Sequence, residues 1–319
     1  MATTTTPTEA GVGEPVPVTR KTSQARRFLP AYLAISPFFL IFAAFWVFPI
    51  GYSIYLSLHS WDGIGPMKYI GLGQFRYLVT DANFWQSVLN TLEIWVISTV
   101  PMLFFALVLA FLLNSQIRAR GFYRVAYFIP NVTSLVAIAI IFGSVFSNSY
   151  GLVNVVLRAV GLGEVPWLTS PWGIKVTIAI MVIWRWTGYN TIIYLAGLQA
   201  IPGDLYEAAR VDGASQPQTF FRIVIPMLRP IILFTVITST IGGLQLFTEP
   251  QVLFGTNYGG PGQAGMTTVL YLYQQTFVKN DFGYGATIGW GLFILIVLFS
   301  IINWRLFRRT DNVGRKVAR

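Results

Sequence analysis

Long apolar stretches separated by short charged ones dominate this chain. A bilayer-crossing helix needs about 20 mostly apolar residues, so the uncharged intervals carry the information. Nothing is charged between Phe28 and Trp61, and Tyr32–Leu58 is the apolar part of that interval. Between Asp81 and Arg118 the one charge is Glu93, which gives a second span near Ser87–Leu113. Val125–Leu157 is uncharged and gives a third span, ending near Phe146. A fourth runs over Ile174–Leu198, interrupted by Arg185, a fifth over Pro230–Thr248 and a sixth over Phe282–Trp304. Pro250–Val278 is also uncharged, but Gly255–Gln263 reads as turn chemistry. Irregular backbone of that kind does not face lipid. The pattern therefore predicts an all-α membrane protein of six transmembrane helices.

Composition agrees. Of 319 residues, 54% are hydrophobic and 11% charged, against roughly 25% charged in soluble domains. So few charges cannot cover a globular surface, which excludes a soluble enzyme. Cysteine is absent and His59 is the single histidine, which removes disulfides, thiolate nucleophiles and multi-histidine zinc sites. The net charge of +10 would suit nucleic acid, but its placement argues otherwise. Arg20, Lys21, Arg26 and Arg27 precede the first span, and Arg118, Arg120 and Arg124 separate the second from the third. Arg210, Arg222 and Arg229 lie between the fourth and fifth, and six more cations from Arg305 to Arg319 follow the sixth. The opposite loops hold Lys68, Arg76, Arg158 and Lys279, with Lys175 at the rim of span four. These cations are membrane anchors, and the positive-inside rule puts both termini in the cytoplasm.

The expected organisation is a disordered cytoplasmic tail over 1–29, a membrane domain over 30–309 and a second cytoplasmic tail over 310–319. The apolar run after the first tail is too long for a cleavable signal peptide and lacks an obvious cleavage site. No internal repeat of fixed period is visible. Gly151–Leu162 has apolar residues at helical spacing and is expected along the outer interface.

One loop breaks the pattern of short connections. Residues 201–229, between spans four and five, carry specific local chemistry. Asp204 with Glu207 forms an Asp variant of the capping box, and Gly213 is placed to end that helix in a left-handed turn. Ser215 and Gln218 repeat the arrangement for a second short helix that tolerates Pro217 in its first turn and is expected to stop near Pro226. Ala208 and Ala209 make part of the first helix thin, so another surface can approach its backbone. The loop reads either as a grip for a partner or as an amphipathic surface hairpin with none.

Glu207-Ala208-Ala209, Gly213 and Ile223-Val224-Ile225-Pro226 resemble the EAA…G…I-x-L-P loop of binding-protein-dependent ABC importer permeases. Ile225 replaces the Leu of that pattern, a swap of similar volume. Ile70–Phe75, Asn90-Thr91, Leu195–Gln199 and Tyr258–Gly262 are similar to the sugar-importing branch. Leu246–Pro250 with Phe282–Gly285 is similar to members importing di- and oligosaccharides such as cellobiose or lactose. The resemblance implies the type I ABC importer permease fold, in which the loop is the coupling helix seated in a separate ATPase. Glu207, Ala208, Ala209 and Gly213 would make that contact, with Arg210 and Asp212 beside them. It also implies a second homologous permease subunit, a dimer of ATPase subunits carrying ATP and magnesium, and an extracytoplasmic sugar-binding protein. No cofactor is implied on this chain itself, which lacks the G-x-x-x-x-G-K-[ST] phosphate loop.

Polar groups inside spans usually face the protein or a watery path. Asn131, Trp186, Tyr189, Asn190, Gln245 and Glu249 are the candidates for a sugar path. Each has a plainer reading: Arg185 could pair with a carboxylate between helices, the tryptophans could be interfacial anchors, and Asn131 could satisfy backbone freed by Pro130. Glu93 is close enough to the outer end of its span to be wet, and His59 is expected at the interface without a role. Two rival functions remain at this stage. An ion-driven secondary carrier predicts midplane ion sites and often an inverted repeat, and a membrane-embedded enzyme predicts clustered catalytic groups; neither signature is found.

Overall fold

A computed structural model describes residues 24–114 and 120–317. Contacts divide the chain into two units, residues 1–52 and 53–319, which are taken separately. In the first, α1 (Gln24–Phe42) leads through a π-helical turn (Ala43–Val47) into α2 (Phe48–Ser57), whose residues from Ser53 onward belong to the second. Helix thus begins inside the segment expected as a tail, whose residues 1–23 lie outside the described ones. Phe38, Phe45 and Phe48 are 66, 75 and 67% exposed. Phe38, Phe42 and Trp46 stack at i, i+4 spacing, with ring centroids 6.1 and 6.3 Å apart. A helix this apolar and this uncovered is at home in hydrocarbon, where helix formation satisfies every backbone group internally.

In the second unit, the end of α2 is followed by a two-stranded antiparallel ribbon, β1 (His59–Ser60) and β2 (Lys68–Tyr69), paired His59 to Tyr69. Its turn is held by Asp62, whose Oδ1 accepts from the N–H of Ile64 at 3.0 Å and of Gly65 at 2.7 Å. His59 is buried, not interfacial as expected. Its Nδ1 lies 2.7 Å from the Tyr55 carbonyl oxygen, and its ring packs between Tyr55 and Tyr69. Helices α3 (Gly73–Thr80) and α4 (Ala82–Asn114) follow. The loop cation Arg118 lies in 115–119, outside the described residues. Beyond it come α5 (Arg120–Val132), α6 (Leu135–Val145), α7 (Leu152–Ala159) and α8 (Pro171–Gln199). Then come α9 (Gly203–Val211), α10 (Gln216–Thr219), a π-helical turn (Phe220–Val224), α11 (Ile225–Leu244) and α12 (Thr248–Phe254). Helices α13 (Thr268–Tyr273) and α14 (Phe282–Val317) complete the unit.

Among the described residues, four helical stretches are long and apolar enough to cross a membrane: 31–57, 82–114, 216–254 and 282–305. The expected fourth span is α8, whose 29 residues include Lys175 and Arg185. The expected third span is not one straight helix. It is α5 and α6, bent by 94°, with Pro130 removing a backbone donor four residues ahead of the bend. Just ahead of the bend, the Ile129 carbonyl accepts from both the N–H and the hydroxyl of Thr133, at 3.1 and 2.7 Å. Among the described residues the four long stretches become five if the bent pair counts as one span, and α8, interrupted by Lys175 and Arg185, is less apolar than these, an arrangement compatible with the six expected spans. Gly151–Leu162 does contain a helix, α7. The C-terminal tail expected over 310–319 is helical as far as Val317.

Packing centres on α4 and α8, which run against each other over much of their length. Gly188 lets α5 approach α8: a Cβ there would stand 1.8 Å from the Tyr127 carbonyl oxygen. Small residues at such crossings are how helices associate where lipid supplies no hydrophobic force. Gly283 and Gly285, which superficially resemble a phosphate loop, serve the same purpose, with Cβ positions 2.1 and 1.9 Å from the His59 carbonyl oxygen and Thr276 Oγ1.

The segment between α12 and α14 is tied to α4 by polar side chains. Asn90 Nδ2 donates to the carbonyls of Gln263 and Met266, at 2.9 and 3.2 Å, and Thr91 Oγ1 accepts from Thr268 N–H at 2.9 Å. Asp81, at the head of α4, accepts from the hydroxyls of Tyr271 (2.6 Å) and Tyr284. Burial alone would raise the Asp81 carboxyl. These hydroxyls and the Asn83 N–H outweigh it and hold the group below the usual carboxylate range. A depressed folded pKa stabilises above the ordinary carboxylate pKa and is lost as pH falls through the folded value. Asp81→Asn is expected to destabilise the detergent-solubilised protein by about 2 kcal/mol. It should also flatten the wild-type decline in thermal stability below about pH 4. Unchanged melting at neutral pH would contradict this role.

Candidate functional site: a polar cavity and an exposed helical loop

Span five does not run unbroken. Helix α11 ends at Leu244, residues 245–247 are irregular, and α12 restarts at Thr248. In lipid such a break needs replacement hydrogen bonds. The Leu246 carbonyl receives one from the Thr267 hydroxyl at 2.6 Å, and Gln245 N–H reaches the carbonyls of Ile241 and Gly242 at 3.2 Å. The break opens a cavity of about 390 Å³ between α4, α8, α11 and the head of α12.

Trp186, Tyr189, Asn190, Gln245 and Glu249 all line it, so five of the six path candidates converge on one space. Asn131 does not. It sits on α5 with Nδ2 buried and without a hydrogen-bond partner among the described residues. Trp186 and Tyr189 meet edge to face, centroids 5.8 Å apart at 89°. Asn190 donates to the Trp186 carbonyl at 3.1 Å. Arg185 pairs with Glu249 through Nη1 and Oε1 at 2.9 Å, the two side chains being 17 and 5% exposed. The carboxylate partner expected for Arg185 is thus Glu249 itself, in the first turn of α12 where the helix dipole favours an anion. The other intramembrane carboxylate, Glu93, is paired with Lys175 of α8 and is not simply wet.

Several lining residues were not legible beforehand: Thr99, Phe234, Thr238, Ser239 and Thr248. Thr238 bonds its own helix, Oγ1 to the Phe234 carbonyl at 2.9 Å. A threonine doing this looks the same in sequence whether it faces a path or a neighbour.

The loop after α8 is built differently from its sequence reading in two places. Pro202, not Asp204, is the N-cap of α9, and no side chain caps it; Asp204 lies in the first turn. The second helix does not stop at Pro226. Helix α10 passes through the π turn at Phe220–Val224 into α11, so the membrane span begins at Gln216. A π turn shifts the carbonyl register, which accommodates a proline that would otherwise clash four residues back.

The other local assignments hold. Ser215 and Gln218 form the capping box with Pro217 in the first turn. Gly213 has φ +71°, with Ala214 N–H bonded to the Ala209 carbonyl (2.9 Å) and Gly213 N–H to that of Arg210 (3.2 Å). That is the Schellman motif. Glu207, Ala208, Arg210, Asp212 and Gly213 are exposed, whereas Ala209 is buried and faces the fold.

The loop is anchored firmly. Phe220, Val224 and Leu228 are buried with Ala106, Leu107 and Ala110 of α4 and with Tyr194, Leu195 and Leu198 of α8; Tyr206 of α9 packs against the same cluster. Between this cluster and the cavity, the Tyr194 hydroxyl bonds Thr235 Oγ1 at 2.6 Å and joins α8 to α11.

Residues 82–312 match the model of the binding-protein-dependent transport system inner membrane component. The chain belongs to this family. It is a membrane-embedded transport subunit, which decides against the ion-driven carrier and the membrane enzyme. The lactose transport system permease protein LacF of Rhizobium radiobacter is 42% identical over 86% of this chain and 92% of its own length. The arabinooligosaccharides transport system permease protein AraP of Bacillus subtilis (strain 168) is 35% identical over 94% and 97%. The fold is shared with a chain of the bacterial alginate ABC transporter solved with an alginate pentasaccharide-bound periplasmic protein (TM-score 0.77, 23% identity, 91% and 98% covered).

Gly213→Ala meets nothing within 4 Å, so its cost is conformational alone, about 1 kcal/mol. Gly213→Asn should cost less, because asparagine tolerates the left-handed region. Amide hydrogen exchange at residues 209–214 in lipid nanodiscs reads both; equal protection in all three proteins would refute the assignment.

Proposed function

We propose that this permease forms half of the translocation path of an ATP-driven importer of di- or oligosaccharides. Its exposed loop is the handle through which a separate ATPase acts. The observation that carries the reading is mechanical. The helices gripped at the loop by Phe220, Val224 and Leu228 are the same α4, α8 and α11 that wall the cavity. A push on α9 therefore displaces the walls of the site without a flexible intermediate. In this reading Glu207, Ala208, Arg210, Asp212 and Gly213 face the ATPase, and Ala209 keeps the helix seated close to the bundle. ATP and magnesium act on that partner, a dimer of ATPase subunits. A second homologous permease supplies the other half of the path, and an extracytoplasmic binding protein delivers the sugar. The distribution of Lys and Arg supports cytoplasmic termini and a cytoplasmic α9.

Within the cavity, Trp186 and Tyr189 offer aromatic faces to the C–H faces of sugar rings, while Gln245, Asn190 and Glu249 offer amide and carboxylate groups to hydroxyls. Asn131, outside this cavity, would serve the path only on another stretch of it. The sugar class is supported by the lactose and arabinooligosaccharide permeases among the relatives.

Two substitutions separate the roles. Glu207→Ala with Asp212→Ala should reduce sugar uptake at least tenfold and uncouple ATP hydrolysis from the binding protein. Trp186→Ala should reduce uptake as strongly while the ATPase still co-purifies and hydrolyses. Wild-type uptake and stimulated hydrolysis in the loop variant would refute the coupling role; wild-type uptake in Trp186→Ala would refute the path.

A further inference from the structure

The cavity carries two formal charges among its lining residues, Arg185 and Glu249, and they are spent on each other at 2.9 Å. The guanidinium carbon stands 5.0 Å from the Trp186 ring centroid, so the cation is held between a carboxylate on one side and the stacking ring on another. The Nε of Arg185 is buried without a hydrogen-bond partner among the described residues. The guanidinium is thus neither fully satisfied nor free to meet a ligand anion without losing Glu249.

A guanidinium beside an aromatic face is ordinarily a site for a carboxylate. Here Glu249 occupies that position and would repel a second carboxylate at close range in a poorly screened site. A neutral sugar meets no such penalty. Its hydroxyls can both donate to the carboxylate and accept from guanidinium N–H groups, and its ring can lie on Trp186.

Resting on the proposed sugar path, we propose that Glu249 is a specificity residue: by neutralising Arg185 it makes the cavity select neutral saccharides and reject uronate-containing ones. Charge alone sets this choice. Removing the carboxylate while keeping the cation converts the cavity into a site for acidic sugars, and removing both charges leaves it neutral again.

The test uses the full chain, co-purified with the second permease subunit, in lipid nanodiscs, titrated calorimetrically with lactose and with digalacturonate. Wild type is expected to prefer lactose at least tenfold. Glu249→Gln should gain at least tenfold in digalacturonate affinity, the gain falling with added salt, and Arg185→Gln combined with Glu249→Gln should lose that gain again. Thr248→Arg places an additional cation on the cavity lining with the native pair intact. It should produce the same gain if Glu249→Gln does not fold. Equal wild-type affinity for the two sugars would overturn the proposal, as would lactose binding without any acidic gain in both single variants. A wild-type assembly of the two permeases that binds neither sugar would remove the cavity as a sugar site altogether.

Discussion

Hydrocarbon offers no hydrogen bonds, so any interruption of a helix within it must be repaired by side chains, and any charge within it must meet its opposite. This constraint organises the molecule. Where α11 gives way to α12, Thr267 repairs the Leu246 carbonyl and Glu249 meets Arg185. Where α5 gives way to α6, the Thr133 hydroxyl adds a second hydrogen bond to the Ile129 carbonyl. Where α11 is interrupted, the backbone turns aside and leaves the polar cavity. Of the groups that answer this break, Glu249 and Arg185 line the cavity, while Thr267 stands outside its lining.

The same constraint separates two kinds of helix. Those that carry the site, α4, α8 and α11, are held by close approaches at Gly188 and Gly243, by the Tyr194–Thr235 hydrogen bond and by the buried cluster under α9. Residues 31–52 carry many exposed aromatic and branched side chains. Buried packing and the Tyr194–Thr235 hydrogen bond thus run from the loop toward the cavity.

The polar segments that resemble sugar permeases divide on inspection into scaffold and site. Asn90 and Thr91 pin the outer segment to α4, and Gly259 and Gly260, both at positive φ, build the turn that packs against Met266. They shape the cavity's surroundings without lining it. Gln245 and Glu249, from an equally short stretch, line it directly. A motif alone does not say which of these two parts it plays.

The apolar intervals, the cation placement and the local signals at Gly213 and Ser215 were determined by the sequence itself, because they depend on hydropathy and on backbone chemistry within a few residues. The convergence of Trp186, Tyr189, Asn190, Gln245 and Glu249 was legible only as a set of polar interruptions in separate spans. Three things waited for the tertiary structure: the pairing of Arg185 with Glu249 and of Lys175 with Glu93, the continuation of the loop's second helix through Pro226, and the separation of Asn131 from the cavity. Partner choice between distant charges, a register shift in a π turn and the direction a helix takes after a bend all depend on which helices pack together. Packing in a membrane is set by small residues and shape rather than by any apolar periodicity that the chain displays.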